Sequence, residues 1–252
     1  MKEVCTMQDA SLISLPLAQF VSPWTAVFTT VLGLLALIPY IYMRCKGASP
    51  KALLLKTTVS VFFLLTCTGA SLAGSNSLFL CAGIMMGLVF GLLGDIYLDQ
   101  KDMYPAHHDT YVFTGFTVFL IGHLFYSAGL LTAYKPALQW IGLAAGLSLL
   151  VSVATAFAEK PLKMNFGKFK TITIVYGFFL SMTMNLAFVV YFTCGKPRQA
   201  LVMALGALAF WLSDLVLSGT YFGEGKNRPV DIISNYVLYY GAQFAIALSL
   251  VF

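Results

Sequence analysis

The stretch LFLCAGIMMGLVFGLLGDIYL, residues 78–98, decides the fold class. It has the roughly 20 apolar residues that an α-helix needs to cross a bilayer, and it carries one charged side chain, Asp95. A carboxylate at the centre of such a helix costs about 2.5–3.5 kcal/mol on insertion scales unless it is paired, hydrated or protonated, so it marks a functional position by default. The chain holds a second residue of this kind, Asp214, in GALAFWLSDLVL (206–217).

Working outward, apolar runs between charged or turn-rich breaks predict helices near 24–43, 53–72, 78–98, 112–131, 136–157, 171–192, 200–219 and 232–252. Eight spans joined by short connections leave no room for a soluble domain, and residues 1–252 read as one integral membrane domain of all-α class. Composition agrees: 59% of residues are hydrophobic and 10% charged, where a soluble domain carries about 25% charged residues. Mean hydropathy is +0.84. The ten-residue alternating strands of an outer-membrane barrel are missing. The first 22 residues, with Lys2, Glu3 and Asp9, lack the layout of a cleavable signal, so the first helix is expected to act as an uncleaved anchor. Five scattered cysteines without a CxxC pair read as small apolar fillers.

Orientation follows from the distribution of lysine and arginine. Ten of the fifteen lie in the 44–52, 99–111, 158–170 and 220–231 loops, and four (Lys2, Lys135, Lys196, Arg198) on the other side. Basic loops are therefore expected in the cytoplasm, and both termini outside. The 158–170 loop is expected to lie against anionic headgroups. No basic stripe with interleaved aromatics suggests a nucleic acid partner.

A shift of 119 positions carries Gly87 onto Gly206, Leu93 onto Leu212, Asp95 onto Asp214, Gly122 onto Gly241 and Phe125 onto Phe244. This reads as a parallel 4+4 internal repeat, related by an axis along the membrane normal. The competing explanation is a chance match between apolar segments, against which the alignment of two rare carboxylates weighs. A pseudo-twofold arrangement would bring the aspartates face to face at equal depth.

Other polar residues sit at helical spacing within the spans. Gly87 and Gly91 precede Asp95 at four-residue steps, a stripe that favours close packing and an inward carboxylate. Asp214 follows Phe210 and Trp211 by one turn. His123 lies deep in the fourth predicted helix with Tyr126 one turn on. The eighth carries Tyr236, Tyr240 and Gln243 along one face beside Tyr239, and Gln243 needs a partner at that depth. Lys56 stands inside the second helix, where it either snorkels to the surface or meets an anionic group such as a phosphodiester. Asp99 shares a face with Asp95, but its place at the helix end points to ordinary solvation. His107 and His108 fall in a hydrophilic loop, and three histidines so divided make a poor zinc site, which argues against an intramembrane zinc amidase. No metal or other cofactor is expected.

Taken together, GDIYL around Asp95, GHLFY around His123, LSDLVL around Asp214 and YYGAQ ending at Gln243 resemble the YhhN-like lysoplasmalogenase family. Lys56, and Gly115 eight residues before His123, also match that pattern. The resemblance covers most of the chain from the second helix onward; the first 22 residues and the loop with His107 and His108 have no counterpart in it. It implies an eight-span hydrolase that cleaves the vinyl ether bond of lysoplasmenyl phospholipids, releasing a fatty aldehyde and a glycerophospho-alcohol. It also implies that Asp95 and Asp214 are the catalytic pair. Vinyl ether hydrolysis needs a proton donor and an anion that stabilises an oxocarbenium ion, roles that two carboxylates in unlike surroundings can divide. The apolar neighbours Phe210 and Trp211 point to Asp214 as the acid, with Asp95 orienting water. Lys56 is then expected to meet the substrate phosphate, and His123, Tyr126, Tyr239, Tyr240 and Gln243 to bind the glycerol or departing oxygen. A lysophospholipid and the surrounding membrane lipids are the expected partners. A proton-coupled transporter using the same carboxylates is the alternative.

Overall fold

The computed structural model describes residues 21–74, 76–223 and 228–252. These form eight long helices: α1 (Pro23–Cys45), α2 (Pro50–Ala73), α3 (Leu78–Met103), α4 (His108–Tyr134), α5 (Leu138–Phe157), α6 (Lys170–Thr193), α7 (Arg198–Phe222) and α8 (Pro229–Leu248). Helices suit this setting because each satisfies its own backbone hydrogen bonds where lipid offers none. Seven helices among the described residues, α1 to α7, are long and apolar enough to cross a membrane, so the chain is an integral membrane protein. The eighth falls short in hydropathy rather than length: Asn235, Tyr236, Tyr239, Tyr240 and Gln243 all lie on its buried face.

Local signals set the helix ends. Ser22 and Ser49 accept from the backbone N–H of Trp24 and Ala52, with Pro23 and Pro50 opening α1 and α2. Asp231 caps the start of α8 by accepting from the Arg228 backbone and guanidinium. Lys135, in the left-handed region at φ 43°, closes α4. α3 runs on to Met103, past the expected end at 98, because the charges of its last turns find partners inside the protein.

Helices α2, α3, α4, α6, α7 and α8 close a ring in that order, with α1 against α2 and α8, and α5 against α6. The outer spans α1 and α5 are 28% and 22% buried, against 39% or more for the other spans. Advancing four helices carries the α1–α2, α2–α3, α3–α4 and α4–α6 pairings onto α5–α6, α6–α7, α7–α8 and α8–α2. That is the pattern a parallel repeat expects. The contact of α1 on α8 has no comparable counterpart of α5 on α4.

α3 and α4 are the most intimate pair. A Cβ on Gly83 would meet Gly129 and the Phe125 carbonyl, one on Gly122 the Gly87 carbonyl, and one on Gly115 the Leu98 side chain. The GxxxG of α5, Gly142 and Gly146, faces open space instead.

The two ends of the bundle are knitted differently. At one end Tyr134, Gln199 and Asn76 form a hydrogen-bonded chain that reaches the Leu250 carbonyl. At the other, Arg44 pairs with Asp102 and Lys168 with Asp109, and the 158–169 connection bonds to the end of α7 through Asn165 and Phe222. Cys45, Cys67 and Cys81 are free thiols, while Cys194 is disulfide-bonded and so is not a simple filler. The expectations for residues 1–20, and for Lys226 in the last basic loop, fall outside the described residues.

Candidate active site

Asp95 on α3 and Asp214 on α7 line one cavity, each eight residues from the end of its helix. At 1.5 Å per residue that is about 12 Å in from the basic end for both. The cavity leaves about 20 Å³ for the centre of a water-sized sphere, which exceeds the roughly 10–15 Å³ that one water requires.

The two carboxylates have unlike partners. Asp95 is buried, and its Oδ2 accepts from Ser60 Oγ at 2.7 Å and from the Tyr239 hydroxyl at 2.9 Å. Its Oδ1 lies 3.4 Å from the Lys56 ammonium. Asp214 is half-buried and accepts from the Tyr176 hydroxyl, with Ser213 Oγ at 3.3 Å. Among the described residues no cation pairs with Asp214. Asp95 thus faces an ammonium and two hydroxyl donors. Asp214 faces a phenol and a serine hydroxyl instead.

Behind Asp95 runs a hydrogen-bonded chain. The Tyr126 hydroxyl donates to Gln243 Oε1 at 3.0 Å, Gln243 Nε2 donates to the Tyr239 hydroxyl at 3.0 Å, and Tyr239 donates to Asp95. The α3 glycines make room for it, since a Cβ on Gly87 would strike the Tyr126 ring and one on Gly91 the Gln243 amide.

The Lys56 ammonium is buried, donating to Asp99 Oδ1 at 2.8 Å and to the Asp95 carbonyl at 3.2 Å. Asp99 is likewise buried rather than solvated, because Lys56 meets it one turn beyond Asp95. Of the expected substrate ligands, only Lys56 and Tyr239 line the cavity. Tyr126 and Gln243 stand behind Tyr239. Tyr240 donates to the Lys56 carbonyl at 3.3 Å and lies equally close to Ser60 Oγ. His123 packs 4.9 Å from the Phe210 ring and 5.9 Å from the Tyr176 ring, with Nδ1 against Thr183. Lys56, Tyr126, Tyr240 and Gln243 have found partners in the protein, as polar groups within a membrane bundle must, whereas the buried His123 Nε2 has none among the described residues.

Sequence reading passed over Ser60, Tyr176, Tyr221, Asn235 and the role of Asp99. Two of these left a periodic signal: Ser60 lies one turn after Lys56, and Asp99 one turn after Asp95. Tyr176 is a polar-tipped residue in the apolar run ITIVYGFF and is not distinguishable there from an ordinary packing tyrosine.

Two further cavities adjoin the first. An apolar cleft between α5, α6 and α7 ends on Asp214 and Tyr176, which line it together with the central cavity. α5 and α7 both pack on α6 without comparable contact with each other, and this leaves the cleft between them. A larger basin of about 600 Å³ lies at the basic end and shares Tyr221 with the central cavity. The 158–169 connection forms one wall of the basin. In that connection Lys170 and the Phe166 N–H both donate to Glu159, and these bonds hold its carboxyl below the usual range.

Comparison with known proteins returned no match among curated proteins and none among solved structures. A family model described as the YhhN family matches residues 51–250, from the start of α2 to the end of the chain's last turn.

Proposed function

The chain belongs to the YhhN family, and from that premise we propose that it hydrolyses the vinyl ether bond of lysoplasmenyl phospholipids, with Asp214 as general acid and Asp95 as the ionised partner. The observation that carries this reading is the water-sized cavity shared by two carboxylates of unlike surroundings.

The chemistry runs as follows. Asp214 gives its proton to the β-carbon of the vinyl ether, and positive charge develops on the α-carbon and the ether oxygen. The Asp95 carboxylate stabilises that oxocarbenium ion electrostatically. Water adds to the α-carbon and passes a proton to a carboxylate, giving a hemiacetal. The hemiacetal collapses as its hydroxyl gives a proton to one carboxylate, the bond to the glycerol oxygen breaks, and that oxygen takes up a proton from the other carboxyl. The two carboxyls re-exchange the proton, and a fatty aldehyde leaves. Both aspartates end as they began. Lys56 fixes the orientation of Asp95, and the Tyr126–Gln243–Tyr239 chain supports it from behind. The alkenyl chain of the substrate lies in the apolar cleft between α5 and α7, which ends on Asp214. On the distribution of basic loops, the basic end of the bundle faces the cytoplasm and both termini lie outside.

The test is to give purified protein lysoplasmenyl-ethanolamine and its ester-linked analogue and to measure aldehyde. Release from the vinyl ether alone is expected, falling by at least about 100-fold in Asp95→Asn and Asp214→Asn, the scale of a lost acid or base. No release by the parent protein, or near-normal turnover by either variant, overturns the reading.

A further inference from the structure

At the basic end of the bundle, the basin above Tyr221 holds more positive charge than its carboxylate balances. Arg44 and Lys101 both bond to one carboxylate, Asp102, at 2.5 and 2.7 Å. Their side chains are only 17% and 7% exposed, so two largely desolvated cations share one anion. Arg44 uses Nε on the Tyr236 hydroxyl and one further N–H on Asp102, which leaves three of its five donors uncommitted among the described residues. Lys168 and His108 stand on the opposite wall, where both contact Asp109, so the excess lies with Arg44 and Lys101. A buried excess cation is costly without an anion, and a cavity of about 600 Å³ leaves room for one.

The central cavity next to it has the opposite imbalance. There Lys56 alone faces both Asp95 and Asp99, with Asp214 nearby. Formal charge therefore changes sign across Tyr221, from positive at the mouth to negative within. A lysophospholipid carries the same pattern during vinyl ether hydrolysis: an anionic phosphodiester, then, a few bonds deeper, a carbon on which positive charge develops.

We propose that this basin is the subsite for the phosphodiester of the glycerophospho-alcohol, with Arg44, Lys101 and Lys168 as its partners and Tyr221 as the partition between it and the aspartates. The guanidinium offers the planar fork that suits phosphate oxygens. Lys168 reaches in from the exposed 158–169 connection. The identity of the anion rests on the hydrolase reading above; the existence of the subsite rests on the charge and the space.

The experiment has a binding arm and a kinetic arm. Calorimetric titration of the purified full-length protein with glycerophosphoethanolamine should show binding that weakens about tenfold in Lys168→Ala and in Arg44→Gln, the scale of one lost charge-assisted bond. Lys196→Ala, at the far end of the bundle, should bind as the parent does. Because Lys168 is exposed, its variant tests the proposal even if the Arg44 variant fails to fold. In the kinetic arm, kcat/KM for lysoplasmenyl-ethanolamine relative to a phosphate-free alkenylglycerol should fall about tenfold in Lys168→Ala. Unchanged glycerophosphoethanolamine binding in the folded variants, or a preserved substrate ratio, overturns the proposal. Inorganic phosphate binding as tightly as glycerophosphoethanolamine also overturns it, in favour of a free-phosphate site. If the parent cleaves neither substrate, the hydrolase reading falls and the binding arm alone decides the subsite.

Discussion

Lys56 shows what a single side chain decides here. Its ammonium stands between Asp95 and Asp99, so its removal would leave two buried carboxylates facing each other without a counter-charge. Breaking such a buried pair costs about 3–5 kcal/mol. Lys56→Met is therefore expected to lower the thermal unfolding midpoint and to cut kcat on lysoplasmenyl-ethanolamine, with KM moving little. A tenfold rise in KM at full kcat would instead return Lys56 to the role of headgroup ligand. Asp99 matters for the same reason: it shares the ammonium with Asp95 and so helps to fix where Lys56 sits relative to that carboxylate.

At the scale of elements, the α3–α4 contact positions the site. The glycines of α3 let Tyr126 and Gln243 approach closely enough to reach Tyr239 and, through it, Asp95. Gly83 meets α4 backbone directly: a Cβ added there would lie 2.8 Å from the Gly129 Cα. Backbone does not yield as a flexible side chain does, so Gly83→Ala should force the helices apart and cost about 1–3 kcal/mol. Gly146→Ala on α5 adds a methyl group to open space and should stay within about 0.5 kcal/mol of the parent. Thermal unfolding of both variants checks the contrast. Equal midpoints would mean that the α3–α4 interface is looser than the geometry shows. α8 carries the complementary lesson. Its buried polar face lowers its hydropathy below that of α1 to α7, because that face supplies the hydrogen bonds around Asp95.

For the whole molecule, the pairing symmetry sets the two aspartates at the same depth on opposite walls of one cavity, while the surrounding partners make them chemically different. Pseudo-symmetric halves with asymmetric linings suit a reaction that needs one acid and one anion. The two ends of the molecule differ in their lysine and arginine, ten in the loops at one end against four at the other. A reporter that is active only outside the cytoplasm, fused after Phe252, is expected to be active. The same reporter placed at Gly47, in the basic loop between α1 and α2, is expected to be silent. The reverse result would put the basin, and with it any headgroup, on the other leaflet.

Sequence alone determined the all-helical membrane class and the presence of eight helices, each bounded to within about five residues. It also singled out two carboxylates, because a long apolar run, and a charge that interrupts it, are local properties that lipid makes costly to violate. Tertiary structure alone decided which polar residues touch the cavity. Tyr126, Gln243, Tyr240 and His123 share the helical spacing of site residues, yet they stand behind the wall. Tyr176, unremarkable in its segment, and Ser60, marked only by its spacing from Lys56, reach the aspartates. The physical reason is that a hydrogen bond in a dry bundle is made between helices, and the partner's position in the chain carries no information about its position in space.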